Sequence, residues 1–151
     1  MESMLQLNRG AARLLREAGV RACTDVTGFG LLGHASEMAE ASGVKLRIEA
    51  GRVPLLPGAM EYAREGILPG GLGRNRAYLL GTGEGSTVRV HISDDVPPEV
   101  ADLLMDPQTS GGLLAAVPSE RLDGLLAAFS SEGLGCWVIG EIGVGSGIEV
   151  V

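Results

Sequence analysis

Apolar residues recur every three to four positions from Met4 to Ala18, where Leu7, Ala11, Leu14, Leu15 and Ala18 share one side and Arg9, Arg13, Arg16 and Glu17 the other. The spacing predicts an amphipathic helix that stops at Gly19. Arg21 to Thr27 is short and rich in strand formers, and Gly28-Phe-Gly-Leu-Leu-Gly33 breaks it. A second helix is predicted from about Leu31 to Ala41, ended by Ser42-Gly43. Period-two alternation then places Val44, Leu46 and Ile48 on one strand face, and Val88, Val90 and Ile92 on another. Between those strands, Pro54 and Pro57 lead into a short helix over Gly58–Glu65, and Gly66 to Gly85 reads as a long glycine-rich loop. Pro97-Pro98 opens a helix to about Met105, because proline suits the first helical turn. Gly111 to Val117 is an apolar strand. Ser119 is placed as the N-cap of a helix carrying Leu122, Leu125, Leu126 and Phe129 and ending at Gly133. Trp137–Ile142 and Ile148–Val151 close the pattern as strands.

Helices and strands therefore alternate, and several strands alternate in polarity. Such strands belong to a sheet with one face less buried than the other, hence mixed or antiparallel. The predicted class is α+β, helices layered on a mixed sheet. No repeat or linker divides residues 1–151, so one domain is expected. With 45% hydrophobic residues but only 3% aromatic, the core must be aliphatic. The 24 glycines punctuate the apolar segments, where tight turns and close backbone approaches need them. A net charge of −7 argues against a nucleic-acid surface, which requires basic residues to neutralise phosphates. No segment has the length and apolarity of a membrane span, and no apolar leader opens the chain, so a cytoplasmic setting is expected. Cys23 and Cys136 have no metal-like spacing and are expected to be buried free thiols.

Two glycine motifs carry candidate chemistry. Gly28-Phe-Gly30-Leu-Leu-Gly33 follows a strand and opens a helix, with Glu49 at the end of the next strand, which on paper fits a dinucleotide fingerprint. The preceding strand holds Thr24, Asp25 and Thr27 instead of a continuous apolar run, and a full helix comes before it, so that reading is rejected. Backbone N–H groups at a glycine-rich helix start favour anions. Asp25 beside them would repel an anion unless a divalent cation lay between, and Mg²⁺ takes carboxylate and phosphate oxygens together. The alternative is that Asp25 or Thr27 caps the helix. The second motif, Asp106-Pro-Gln-Thr-Ser-Gly-Gly112, joins a helix to a strand; its Asp and Thr suit a turn held by side-chain-to-backbone bonds, with or without a ligand.

Together, Thr24-Asp-Val-Thr-Gly-Phe-Gly-Leu-Leu-Gly-His34 and Leu104-Met-Asp-Pro-Gln-Thr-Ser-Gly-Gly-Leu-Leu114 resemble the C-terminal signatures of selenophosphate synthetases (selenide, water dikinases). Val53-Pro-Leu-Leu-Pro-Gly-Ala59 and Pro69-Gly-Gly-Leu-Gly-Arg-Asn75 also look like segments of that family, in family order. The resemblance runs from about Leu7 to the last strand. It implies the C-terminal domain of the aminoimidazole ribonucleotide synthetase-related superfamily, an α/β/α-layered α+β domain. It also implies a reaction in which ATP, selenide and water give selenophosphate, AMP and phosphate with Mg²⁺. The position matching Asp25 is a metal ligand in that family. Thr27, Gly28, Gly30, Asn75, Thr109 and Ser110 are carried over as residues near the substrate phosphates.

No catalytic residue is expected in this chain, since the family's reactive Cys or selenocysteine, its Lys, its nucleotide loop and its other metal aspartates lie in an N-terminal domain. That domain is the expected partner, with ATP and selenide as substrates and a homodimer for the whole protein; nucleic acid and membrane are not expected partners. His34 reads as a helix histidine or a general base, and Arg74 and Arg76 as phosphate-attracting or simply solvated. Two other readings stay open: a free-standing metal- or phosphate-binding module, and another ATP-dependent enzyme of the superfamily.

Overall fold

The computed structural model describes residues 5–82, 87–108 and 110–151. The chain runs α1 (Arg9–Glu17), β1 (Ala22–Asp25), α2 (Gly30–Ser42), β2 (Lys45–Ile48), a 3-10 turn (Ala50–Arg52), α3 (Ala59–Arg64), α4 (Leu72–Leu80), β3 (Val90–Ile92), α5 (Pro98–Leu104), β4 (Leu113–Ala116), α6 (Ser119–Ser131), β5 (Gly140–Gly143) and β6 (Gly147–Val150). Four strands form a mixed sheet in the order β3-β6-β2-β5. β2 pairs antiparallel with β5 and parallel with β6, which pairs parallel with β3. β1 and β4 make a separate antiparallel ribbon.

Register explains the alternation. Leu46, Ile148 and Val90 are opposite one another and face inward, whereas Glu141, Arg47, Glu149 and His91 form a polar row on the other face. On the inner side Ile48, Val90, Ile148 and Val150 pack with Leu32 and Ala35 of α2, Leu72 and Leu79 of α4, and Leu104 and Met105 at the end of α5. Burying each such large side chain contributes about 1.5–3 kcal/mol. A second cluster joins Leu14 and Leu15 of α1 to Leu125 and Phe129 of α6. The ribbon separates the two: Leu114 packs on the first cluster, Leu113 and Ala115 on the second. The layers are thus mixed sheet, inner helices, ribbon and outer helices, an α+β arrangement with an aliphatic core.

Several local expectations change. Leu7 precedes α1 and is exposed, so the apolar stripe starts at Ala11; Met4 lies outside the described residues. The expected loop from Gly66 to Gly85 contains α4, whose buried side is Leu72, Asn75 and Leu79; Gly83 to Ser86 lie outside the described residues. Ser119 is the first helical residue of α6 and not its cap, because Pro118 takes the N-cap position with fixed φ and no side-chain bond. The expected strand through Val88, Val90 and Ile92 and the expected strand Trp137–Ile142 start later, at Val90 and Gly140. Cys23 and Cys136 are free, but Cys23 is exposed and Cys136 half-buried, since β1 turns Cys23 toward solvent.

Candidate functional site

Strand pairing brings the two glycine motifs side by side. In the ribbon Asp25, the last residue of β1, sits opposite Leu113, the first of β4. Beyond the strands the contact continues through main chain. Val26 N–H donates to Gly112 O at 3.0 Å, Gly111 N–H to Val26 O at 3.1 Å, and Gln108 N–H to Thr27 O at 3.0 Å. Gly30 N–H shares that Thr27 carbonyl, also at 3.0 Å.

So close a seam requires glycine at two places. Gly30 has φ +72°, and a Cβ there would lie 2.7 Å from Met105 C and 2.9 Å from Asp106 O. A Cβ on Gly111 would lie 2.2 Å from Val26 O. Asn75 of α4 locks the seam from a third segment: it is buried, and its Nδ2 donates to Gly28 O at 3.1 Å and to Met105 O at 3.0 Å. Asn8, just before α1, adds a bond from Nδ2 to Gly111 O at 3.1 Å.

Each candidate residue can now be placed. Asp25 and Gly28 are exposed, Thr27 is half-buried and Gly30 is buried. Ser110 is exposed, and Thr109 lies outside the described residues. Capping of α2 by Asp25 or Thr27 is ruled out: Phe29 holds the N-cap position and no side chain bonds to it there. The Thr27 hydroxyl instead meets His34 Nε2 at 3.0 Å. His34 is buried, its Nδ1 lies 3.3 Å from Glu37 Oε2, and its ring meets that of Phe29 edge-on at 5.6 Å. Cys23 shares the Asp25 face of β1; although the residue is exposed, partial desolvation by the surrounding atoms, and secondarily the Asp25 charge, push its thiol above the ordinary value. Both Arg74 and Arg76 of α4 are exposed; Arg76 is engaged by the buried Asp102 of α5, and Arg74 has no such partner among the described residues.

From the sequence, Asp106 is expected only to organise its turn. It is half-buried, it has no side-chain hydrogen bond among the described residues, and burial pushes its carboxyl above the usual range. An aspartate held between a helix end and a proline is the signal that could have singled it out. In chemical kind Asp25 suits Mg²⁺, a cation of hard oxygen ligands. Among the described residues no three His, Cys, Asp or Glu side chains cluster as a metal-holding group.

The chain belongs to the family described as AIR synthase related protein, C-terminal domain, which matches residues 1–151. Within it, the chain is similar to proteins named selenide, water dikinase. It is 43% identical over 143 residues to that of Caldanaerobacter subterraneus subsp. tengcongensis, covering 94% of this chain and 39% of the relative. It is also 43% identical over 141 residues to that of Escherichia coli (strain K12), covering 93% and 38%. The chain thus spans about two-fifths of the length of these curated relatives. Solved structures share the fold. The protein tt0281 from Thermus thermophilus gives a TM-score of 0.60 and 19% identity over 91% of this chain and 33% of that one. Thiamine-monophosphate kinase from Stenotrophomonas maltophilia K279a gives 0.54 and 21% over 87% and 31%. Hydrogenase maturation protein HypE gives 0.51 and 22% over 91% and 33%. Among the described residues no helix is long and apolar enough to cross a membrane.

Proposed function

We propose that this chain is the C-terminal part of a selenide, water dikinase, a cytoplasmic, Mg²⁺-dependent enzyme that turns ATP, selenide and water into selenophosphate, AMP and phosphate. The observation that carries the reading is the exposed Asp25 carboxylate at the end of β1, on the seam where the two signature motifs are bonded together. Similarity at 43% identity to selenide, water dikinases across nearly the whole chain supports it.

Phosphoryl transfer depends on positioning and charge neutralisation, and a bound Mg²⁺ supplies the latter by drawing off negative charge from phosphate oxygens. Asp25 contributes one carboxylate to hold that ion. Gly28, exposed and with open space where a Cβ would lie, leaves main chain open to phosphate, and Gly30 lets the turn pack closely on Met105 and Asp106 so that the phosphate side is held in place. Asn75 fixes that turn against the second motif, whose Thr109 and Ser110 are assigned to the same phosphate side. The remaining metal ligands, the nucleotide loop and the reactive group belong to an N-terminal domain, and the full protein is a homodimer on this reading.

The test is selenide-dependent conversion of ATP to AMP, for this chain alone and after mixing with a separately made N-terminal half. Turnover is expected only in the mixture and is lost in Asp25→Ala. Turnover by this chain alone, or full activity in the Asp25→Ala mixture, would refute the assignment.

A further inference from the structure

Among the described residues fourteen large apolar side chains are exposed, and five of them fall between residues 55 and 68. Leu56, Tyr62 and Ile67 are each more than half exposed, and Leu55 and Leu68 are 38% exposed. α3 and its flanking turns bring them together. Gly66 takes φ +73° after the helix, and Ile67 N–H returns to Tyr62 O at 2.9 Å, which sets these two residues side by side. At the other end the Tyr62 ring lies over Gly58, its Cε2 3.7 Å from where a Cβ would stand, next to the turn that carries Leu56. α3 already packs inward by another side, where Ala63 is buried and Met60 half-buried, so the patch is not a core face left open. Glu61, Arg64 and Glu65 are exposed around it as a polar rim. A contiguous apolar patch with such a rim marks a place where something binds.

We propose that this patch is the surface on which the N-terminal domain of the enzyme docks. The inference rests on the function proposed above and names the contact by which that domain is held beside the site. Two features select this occupant. About three-fifths of the length of the curated relatives lies outside the part that matches this chain, and so large a body of protein needs a place to sit. The patch also runs into the seam. Leu68 continues through Pro69 and Gly70 to Gly71, where a Cβ would lie 3.1 Å from Pro107 Cγ of the second motif. A domain seated on Tyr62 and Ile67 therefore abuts that motif. A second copy of this domain in the same place would take the ground beside the seam that the remaining catalytic parts require. An apolar centre with charge at its margin is the usual build of a surface that meets another in water.

Two measurements on the full-length protein decide it. Photoreactive p-benzoylphenylalanine in place of Tyr62 should cross-link to peptides of the N-terminal domain, identified by mass spectrometry. The same group in place of Val144, fully exposed between β5 and β6, should not. Cross-links from Tyr62 to a second copy of this domain, no cross-link at all, or an equal yield from Val144 overturn the proposal. In limited proteolysis Ile67→Glu should speed cleavage at the domain junction about 10-fold, because cleavage follows the share of molecules in which the domains have parted. Ile67→Leu and Val144→Glu should stay near the parent rate. Ile67→Glu cleaved no faster than the parent, at an unaltered circular dichroism spectrum, overturns the proposal; if that variant loses its fold, the cross-link decides alone. Neither measurement reads turnover. If the full-length protein forms no selenide-dependent AMP, the functional reading fails, and the cross-link still decides where the N-terminal domain sits.

Discussion

Asn75→Leu isolates the bond that holds the two motifs together. Asn75 is 8% exposed, and its amide nitrogen serves Gly28 O and Met105 O at once. Leucine is close in size and a better helix former, so packing and propensity change little. Two hydrogen bonds disappear, and an apolar side chain covers two carbonyls that have no other donor among the described residues. Each bond contributes about 1 kcal/mol net, and a stranded buried acceptor costs about 1–3 kcal/mol, so the variant should lose about 2–4 kcal/mol. That is a large share of the roughly 5–15 kcal/mol of a typical domain. In urea unfolding followed by circular dichroism, the midpoint should fall by roughly 1–3 M at an unchanged slope of about 1–3 kcal/mol per M. A loss under about 0.5 kcal/mol, the range of a surface substitution, would refute the claim that Asn75 bonds these carbonyls.

Two further outcomes follow from the same seam. Gly30→Ala combines a left-handed φ with a Cβ driven against Met105 and Asp106 main chain, so it should cost about 3 kcal/mol or more, read by the same urea titration; a near-neutral result would mean the seam is looser than described. Burial raises the Asp106 carboxyl, so its protonated form favours the fold, and its contribution to stability falls as pH rises from the unfolded pKa through the folded one. Asp106→Asn should therefore be more stable than the parent at neutral pH, with the advantage vanishing below the ordinary carboxyl range; a less stable variant at neutral pH would show that the charge has a partner.

Periodicity was a sound guide where one side of an element is buried and the other wet. Leu46 and Ile48 of β2, Ile148 and Val150 of β6, and Leu125 and Phe129 of α6 all alternate or recur in the sequence as they do in the fold. It misled where the buried set includes a polar residue. α4 buries Leu72, Asn75 and Leu79, at helical spacing, but with Asn75 counted as polar and glycines at 70, 71 and 73 the stretch looks like loop. Leu7 failed the other way: it matches the stripe of α1 but lies before the helix and is exposed. Asp25 stands out as a candidate in the sequence because a carboxylate before a glycine-rich turn conflicts with an anion site. The pairing of Thr27 with His34 does not, because no local rule says which of several polar groups a helix histidine will face.

The site also lies where the periodic patterns stop, and this has a physical reason. A strand or helix spends its main-chain donors and acceptors on its own ladder, so segments that must be joined to one another need carbonyls left outside. Val26, Thr27, Gly28 and Met105 supply those carbonyls just beyond β1 and α5, and Gly111, Gln108, Gly30 and Asn75 supply the donors. Because most of these bonds are main chain to main chain, residue identity there is constrained less by side-chain chemistry than by the room a Cβ would take. The Asp25 side chain, by contrast, is exposed, and its place on the seam is not set by packing. That division accounts for the glycine content of the two motifs: glycine permits the close approach at residues 30 and 111, and the exposed Asp25 is left at the edge of the seam.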